Sequence, residues 1–99
     1  MGYTLQPAVV KEAQRVFGAQ DIDYVLTKLA DTPLTWERSA PPPRVHLAVI
    51  WLSNGERKRF DYHIDGAQFD WRDTLIQAGL AGDDWREVIK KRGIDSTDW

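Results

Sequence analysis

His46 and His63 are the side chains of this 99-residue sequence best suited to metal ligation or proton transfer. Asp61 and Asp65 lie two residues either side of His63, so carboxylates are at hand. The spacing argues against a site: no HxH, HxxxH or HExxH arrangement occurs, and the simpler reading is two ordinary histidines beside surface acids. The absence of cysteine excludes disulfides, zinc–thiolate centres and thiol catalysis. Ser39, Ser53 and Ser96 are the only serines, and none sits in a GxSxG elbow. Gly79, Gly82 and Gly93 read as caps and turns rather than as a phosphate loop. Eleven aspartates leave a paired-carboxylate hydrolase open, although most have a capping or solvation role. The expectation is a domain with no catalytic, cofactor-binding or metal-ligating residues, and not an enzyme.

Two basic clusters have a clearer use. Arg57-Lys58-Arg59 and Lys90-Lys91-Arg92 are compact enough to contact phosphates, with Tyr62 and Trp85 close in sequence for base stacking. Lys90, Lys91 and Arg92 also have a structural explanation, since cations at a helix C-terminus complement its dipole. Arg57–Arg59 fall early in a helix, where the dipole disfavours them, so that cluster is the less explained. These six residues are the candidate nucleic-acid contacts. Five tryptophans exceed what a core this small needs, and Trp36, Trp51 and Trp99 are expected to mark a partner surface. The segment Arg38–Arg44 contains Pro41-Pro42-Pro43, a possible polyproline ligand, but its flanks suggest a packed linker. The tail 95–99 ends in an aromatic that a partner could capture or that folds back on the domain.

The elements that must position these residues can be traced along the chain. A helix begins at Pro7 and carries Val9, Val10, Ala13, Val16 and Phe17 at helical spacing, with Gly18 as its stop. A second follows Asp21 as N-cap, with Ile22, Val25, Leu26 and Leu29 as its stripe, and ends at Thr32-Pro33. Residues 31–43 read as a connector whose three prolines favour an extended polyproline segment.

The strongest pattern is an internal echo. Asp70-Trp71-Arg72-Asp73-Thr74-Leu75, then Gly79-Leu80, is matched fourteen residues later by Asp84-Trp85-Arg86-Glu87-Val88-Ile89, then Gly93-Ile94. Each copy reads as a short helix over 71–78 or 85–92. An aspartate opens it, an acid follows near its positive end, and a glycine closes it in a left-handed turn. Trp and the aliphatic residue four positions later share a face, and the apolar residue after the glycine folds back onto it.

Residues 44–67 admit two readings. Asn54-Gly55 is a strong type I′ hairpin signal and would pair Val49 with Phe60, Leu47 with Tyr62 and Val45 with Ile64 on one face. As two helices, the same stretch gives Val45, Ala48, Val49 and Leu52 as one stripe and Phe60, Ile64 and Ala67 as another, with Pro43 at a helix start. Local pattern slightly favours the hairpin.

The segment Arg44 to Gly55, followed by Asp70-Trp71-Arg72-Asp73 fifteen residues after the glycine, resembles a recurrent bacterial pattern of the type RVxLAILKLSxG … DWRD. That pattern marks a group of small helical bacterial proteins and brings no activity with it. The resemblance covers residues 44–80 and implies helices at 44–53 and 56–67, which selects the all-helical reading. Asp61, Tyr62, Asp65 and Gly66 depart from it as poor helix-interior residues.

Composition sets the frame. With 42% hydrophobic and 28% charged residues and a mean hydropathy of −0.48, the chain is globular in type and long enough for one domain. Residues 1–54 carry five basic and five acidic side chains and residues 55–92 eight of each, so no region has the positive field of a dedicated nucleic-acid binder. The N-terminus lacks the basic and apolar regions of a signal peptide, and the longest apolar run, Leu47–Leu52, is too short to span a bilayer. The expectation is a single all-α domain over 1–99, a compact bundle of four to six short helices, with a β-hairpin at 45–64 as the alternative. It comprises a helix pair at 1–30, a connector at 31–43, core helices at 44–94 and a tail at 95–99. Trp71, Leu75, Trp85, Val88 and Ile89 should pack on Val45, Ala48, Val49 and Leu52. The expected role is a protein-interaction or accessory module in the bacterial cytoplasm, away from membranes, with another protein as partner. Nucleic-acid binding is the alternative.

Overall fold

The computed structural model describes residues 4–34, 42–97 and 99. Trp36 and Pro41 lie outside the described residues. Among those described the chain is all-helical: α1 (Pro7–Val16), α2 (Ile22–Asp31), α3 (Pro42–Ser53), α4 (Arg57–Ala78) and α5 (Trp85–Lys91).

The centre of the domain is α3. Every residue from Pro43 to Ile50 is buried, so this helix is covered on all sides. That settles the ambiguity over 45–64 against the hairpin, because a half-buried strand leaves alternate residues in water and here none is left. Pro42 and Pro43 are helical rather than extended. They occupy the first turn, where a missing N–H breaks no bond.

Asn54 (φ 52°) and Gly55 (φ 78°) adopt the left-handed conformations that the hairpin reading required, but they join α3 to α4 as an αα-hairpin. The Ser53 hydroxyl donates to the Ile50 carbonyl at 2.5 Å and accepts from the Gly55 N–H at 3.3 Å, fixing the corner. A Cβ on Gly55 would stand 2.9 Å from the Val16 carbonyl oxygen, so the turn packs directly on the end of α1.

α4 packs against α3 through Phe60, Ile64 and Ala67, all fully buried. Burying Phe60 and Ile64 contributes about 1.5–3 kcal/mol each. That outweighs the weak helix propensities of Asp61, Tyr62, Asp65 and Gly66, each on the order of 0.5–1 kcal/mol. Asp61 also accepts a hydrogen bond from the Tyr24 hydroxyl of α2 at 2.5 Å. Phe17 and Tyr24 meet Phe60 edge-on, with centroids 5.7 and 6.3 Å away, and so tie the N-terminal pair to α4.

Both copies of the echo form a helix closed by a glycine, with a side-chain cap in the first copy alone. The helical backbone of α4 breaks at Asp70 (φ −151°, ψ 87°), leaving limbs at 57–69 and 71–78. The Asp70 carboxylate accepts the Asp73 N–H at 3.4 Å, the geometry of a cap opening the second limb. Gly79 (φ 77°) and Gly93 (φ 85°) close the two copies. Leu80 N–H bonds to the Leu75 carbonyl at 2.9 Å, and Ile94 N–H to the Ile89 carbonyl at 3.3 Å. Leu75, Leu80, Trp85, Ile89 and Ile94 are all buried, and Trp71 and Val88 pack half-buried against the same core.

Two expected caps differ. Asp21 and Asp84 precede α2 and α5 but make no side-chain capping bond. α1 ends because Phe17 is extended (ψ 146°), with Gly18 outside the left-handed region.

Candidate functional site

The Trp-Arg pairs of the echo build one end of the molecule. Where the second limb of α4, the 79–84 loop and the first turn of α5 meet the start of α3 lies a hollow of about 580 Å³. Trp71 and Trp85 line it, with Leu75 and Ile76 beside them. Three guanidiniums stack on these indoles: Arg72 lies 4.6 Å from the Trp71 ring centroid, and Arg44 and Arg86 lie 4.8 and 4.4 Å from that of Trp85.

Each arginine also serves the fold. Arg44 is buried, and its Nε and Nη2 both donate to the Leu80 carbonyl, at 2.9 and 2.6 Å. Its position ties α3 to the glycine turn that ends the first copy of the echo. Arg86 donates from Nη1 to the Ser96 carbonyl and from Nη2 to the Trp99 carbonyl at 2.6 Å, holding the tail on α5. Burial lowers the pKa of Arg44 below the ordinary arginine value. Asp83 opposes this and the charge on Arg86 reinforces it.

A second basic and aromatic group surrounds Glu12 of α1. This buried carboxylate accepts from Arg15 Nε at 2.7 Å, from Arg15 Nη2 at 2.9 Å and from the Trp51 indole N–H at 2.5 Å. The Arg15 hydrogen bond, opposed by burial and aided by Trp51, holds Glu12 below the usual carboxylate pKa. Arg92 lies 4.1 Å from the Trp51 ring centroid, and both line a hollow of about 470 Å³ with Arg15 and Asn54.

The six predicted nucleic-acid contacts, Arg57, Lys58, Arg59, Lys90, Lys91 and Arg92, are all exposed. Arg57 stacks on Tyr24 at 3.7 Å, and Arg59 pairs with Glu56 at 3.4 Å. Lys90 lines a further hollow of about 590 Å³ beside Arg86 and Ser96. Trp51 and Trp99 of the predicted partner surface are half-buried against the core, while Trp36 is outside the described residues.

The two histidines have separate environments. His46 is buried within α3, close to the Leu29 backbone, and burial pushes its pKa down to about 4. His63 is half-buried on α4 with its ring 5.1 Å from that of Tyr62. Burial and Arg59 lower its pKa. Neither ring lines any of the hollows described above. Among the described residues no group of three or more His, Asp or Glu is placed to hold a metal ion.

Among the described residues the large exposed apolar side chains are Tyr62 (74% exposed), Phe69 (94%) and Ile76 (65%), all on α4. Tyr62 and Phe69 are seven residues apart and share a face of the first limb with Asp65 and Gly66, both exposed. The signal was present in the sequence: once Phe60, Ile64 and Ala67 are taken as the buried stripe, Tyr62 and Phe69 must face away. The Arg after each Trp of the echo was the matching signal for the hollow. No protein-family model matches the chain, and neither a curated protein nor a solved structure does so.

Proposed function

We propose that this domain is a non-catalytic protein-interaction or accessory module, and that its partner surface is the outer face of α4. The observation that carries this reading is the exposure of Tyr62 and Phe69 on one helix face, with Ile76 further along the same helix. A phenyl ring left 94% in water stabilises nothing in the isolated domain. Its burial against a partner recovers about 1.5–3 kcal/mol of apolar transfer energy. Aromatic side chains are the usual anchors of protein interfaces. Of Trp36, Trp51 and Trp99, the sequence's own suggestion, Trp51 and Trp99 are already packed against the core, and Trp36 lies outside the described residues. The resemblance over residues 44–80 and the lack of cysteine make a bacterial cytoplasmic setting the working assumption. Among the described residues no helix is long and apolar enough to cross a membrane.

A photo-crosslinking residue at position 69 tests the reading, with position 14 on the exposed face of α1 as control. In cells, a discrete protein adduct is expected from position 69 and not from 14, and it should fade when Tyr62 is replaced by Ala. Equal labelling from both positions would remove the assignment.

The second reading, nucleic-acid binding, is favoured by the exposure of all six residues of the two basic clusters. The placing of Arg57 over the Tyr24 ring and Arg92 over the Trp51 ring adds to it. A gel shift with mixed DNA and RNA that weakens steeply with salt would support it. No shift at low salt would dispose of it.

A further inference from the structure

We infer that the outer face of the first limb of α4 is the seat of a second copy of this chain. The two limbs pack antiparallel across a two-fold axis, with Tyr62 of each copy over Gly66 of the other. This rests on reading α4 as the partner surface, and it names the partner.

Helix geometry defines the face. At about 100° per residue, Phe60, Ile64 and Ala67 point into the core, and Lys58, Arg59, Tyr62, Asp65, Gly66 and Phe69 lie on the opposite side. All six are exposed. Gly66 is the residue that the single chain leaves unexplained. It stands inside a helix, where only proline is less favourable. Among the described residues a Cβ there would meet nothing within 4 Å, and no left-handed φ calls for glycine. A bare stretch of backbone between two exposed rings lets another helix approach closely. Tyr62 and Gly66 are placed symmetrically about position 64, and the limb 57–69 about position 63. Each tyrosine can therefore cover the other copy's glycine while the limbs overlap along nearly their whole length, about 20 Å.

Charge selects a second copy and fixes its direction. The limb begins with Arg57-Lys58-Arg59 and ends against Asp70, with Asp73 one turn further on. Antiparallel pairing brings the basic end of each copy to the acidic end of the other, and the symmetry makes this contact twice. A parallel pair would set like charges together. In the register given by Tyr62 and Gly66, Lys58 and Arg59 fall opposite Asp70 of the other copy. That supplies the counter-charge which the dipole of their own helix denies to cations at its N-terminus. The exposed pairing of Arg59 with Glu56 at 3.4 Å is a weak competitor.

Asp65 limits the strength. It lies one residue from the axis, so the two Asp65 carboxylates meet there and repel. One helix face is also small beside the roughly 1,200–2,000 Å² that stable interfaces bury in total. The association is therefore weak, with a dissociation constant of about 0.05–1 mM.

Sedimentation equilibrium of the whole chain from about 0.01 to 2 mM tests the inference, and the chain should pass from monomer to dimer over that range. Gly66→Gln, for which the single chain has room, should weaken association about ten-fold or more. Arg59→Glu should weaken it about three-fold, and Asp65→Asn should tighten it to a similar degree. Circular dichroism should show each variant folded. Asp65→Cys reads the register: on oxidation it should give a disulfide-linked dimer, and Gln14→Cys on α1 should not. A chain still monomeric at about 2 mM, a dimer indifferent to Gly66→Gln and Asp65→Asn, or equal crosslinking of the two cysteine variants would overturn the inference. If the chain stays monomeric while position 69 captures a different protein in cells, self-pairing falls and the α4 surface stands. If a dimer forms that ignores Gly66→Gln and position 69 captures nothing, both fall.

Discussion

His46 carries the sharpest consequence at the scale of single residues. Its imidazole is buried in α3 and stays neutral until the pH approaches 4, whereas in the unfolded chain it protonates near 6.5. The unfolded state therefore binds the extra proton between those values, and folding stability must fall as the pH drops from about 6.5 to 4. The loss is on the order of 3 kcal/mol. Half-buried His63, lowered in the same direction, adds to the slope. Chemical denaturation across this range should show the decline, and His46→Leu should flatten most of it. A pH-independent midpoint in the wild-type chain would mean that His46 is solvated. The sequence identified both histidines but gave no means of separating a core imidazole from a ligand. That distinction depends on α3 being enclosed, which is a property of the assembled domain.

Turn chemistry decides most at the scale of elements. Gly55 is held at φ 78° with the Val16 carbonyl where its Cβ would be, so both the backbone and the space demand glycine. Gly55→Ala should cost about 1–3 kcal/mol and lower the melting temperature by roughly 5–15 °C in a thermal scan. An unchanged melting temperature would contradict the close packing of this corner on α1. The echo was the most legible part of the sequence, because an aspartate opening, a tryptophan and a glycine stop each leave a mark within one turn. Residues 44–67 were harder for a physical reason. A helix buried all round has no periodicity to read, and Asn54-Gly55 supplies left-handed backbone to a hairpin and to a helix corner alike. Asp21 and Asp84 show the reverse error, since residues of capping type stand in capping positions without making the bond.

The described residues form five helices sharing one core, with a radius of gyration of 12.1 Å, close to the value of about 13 Å for a globule of this length. Such a body is a platform, and its apolar surplus is displayed along α4. That display was within reach of the sequence only after the buried stripe of Phe60, Ile64 and Ala67 was accepted. The arginine-lined hollow needed three-dimensional assembly, because Arg44 reaches it from a helix more than twenty-five residues before Trp71. The lack of native cysteine permits a direct test of the α4 surface. Phe69→Cys and Gln14→Cys each introduce a single exposed thiol, and maleimide labelling rates can be compared in intact cells and in purified protein. The account predicts that position 69 reacts several-fold more slowly in cells while position 14 is unchanged. Equal protection factors at the two positions would contradict it.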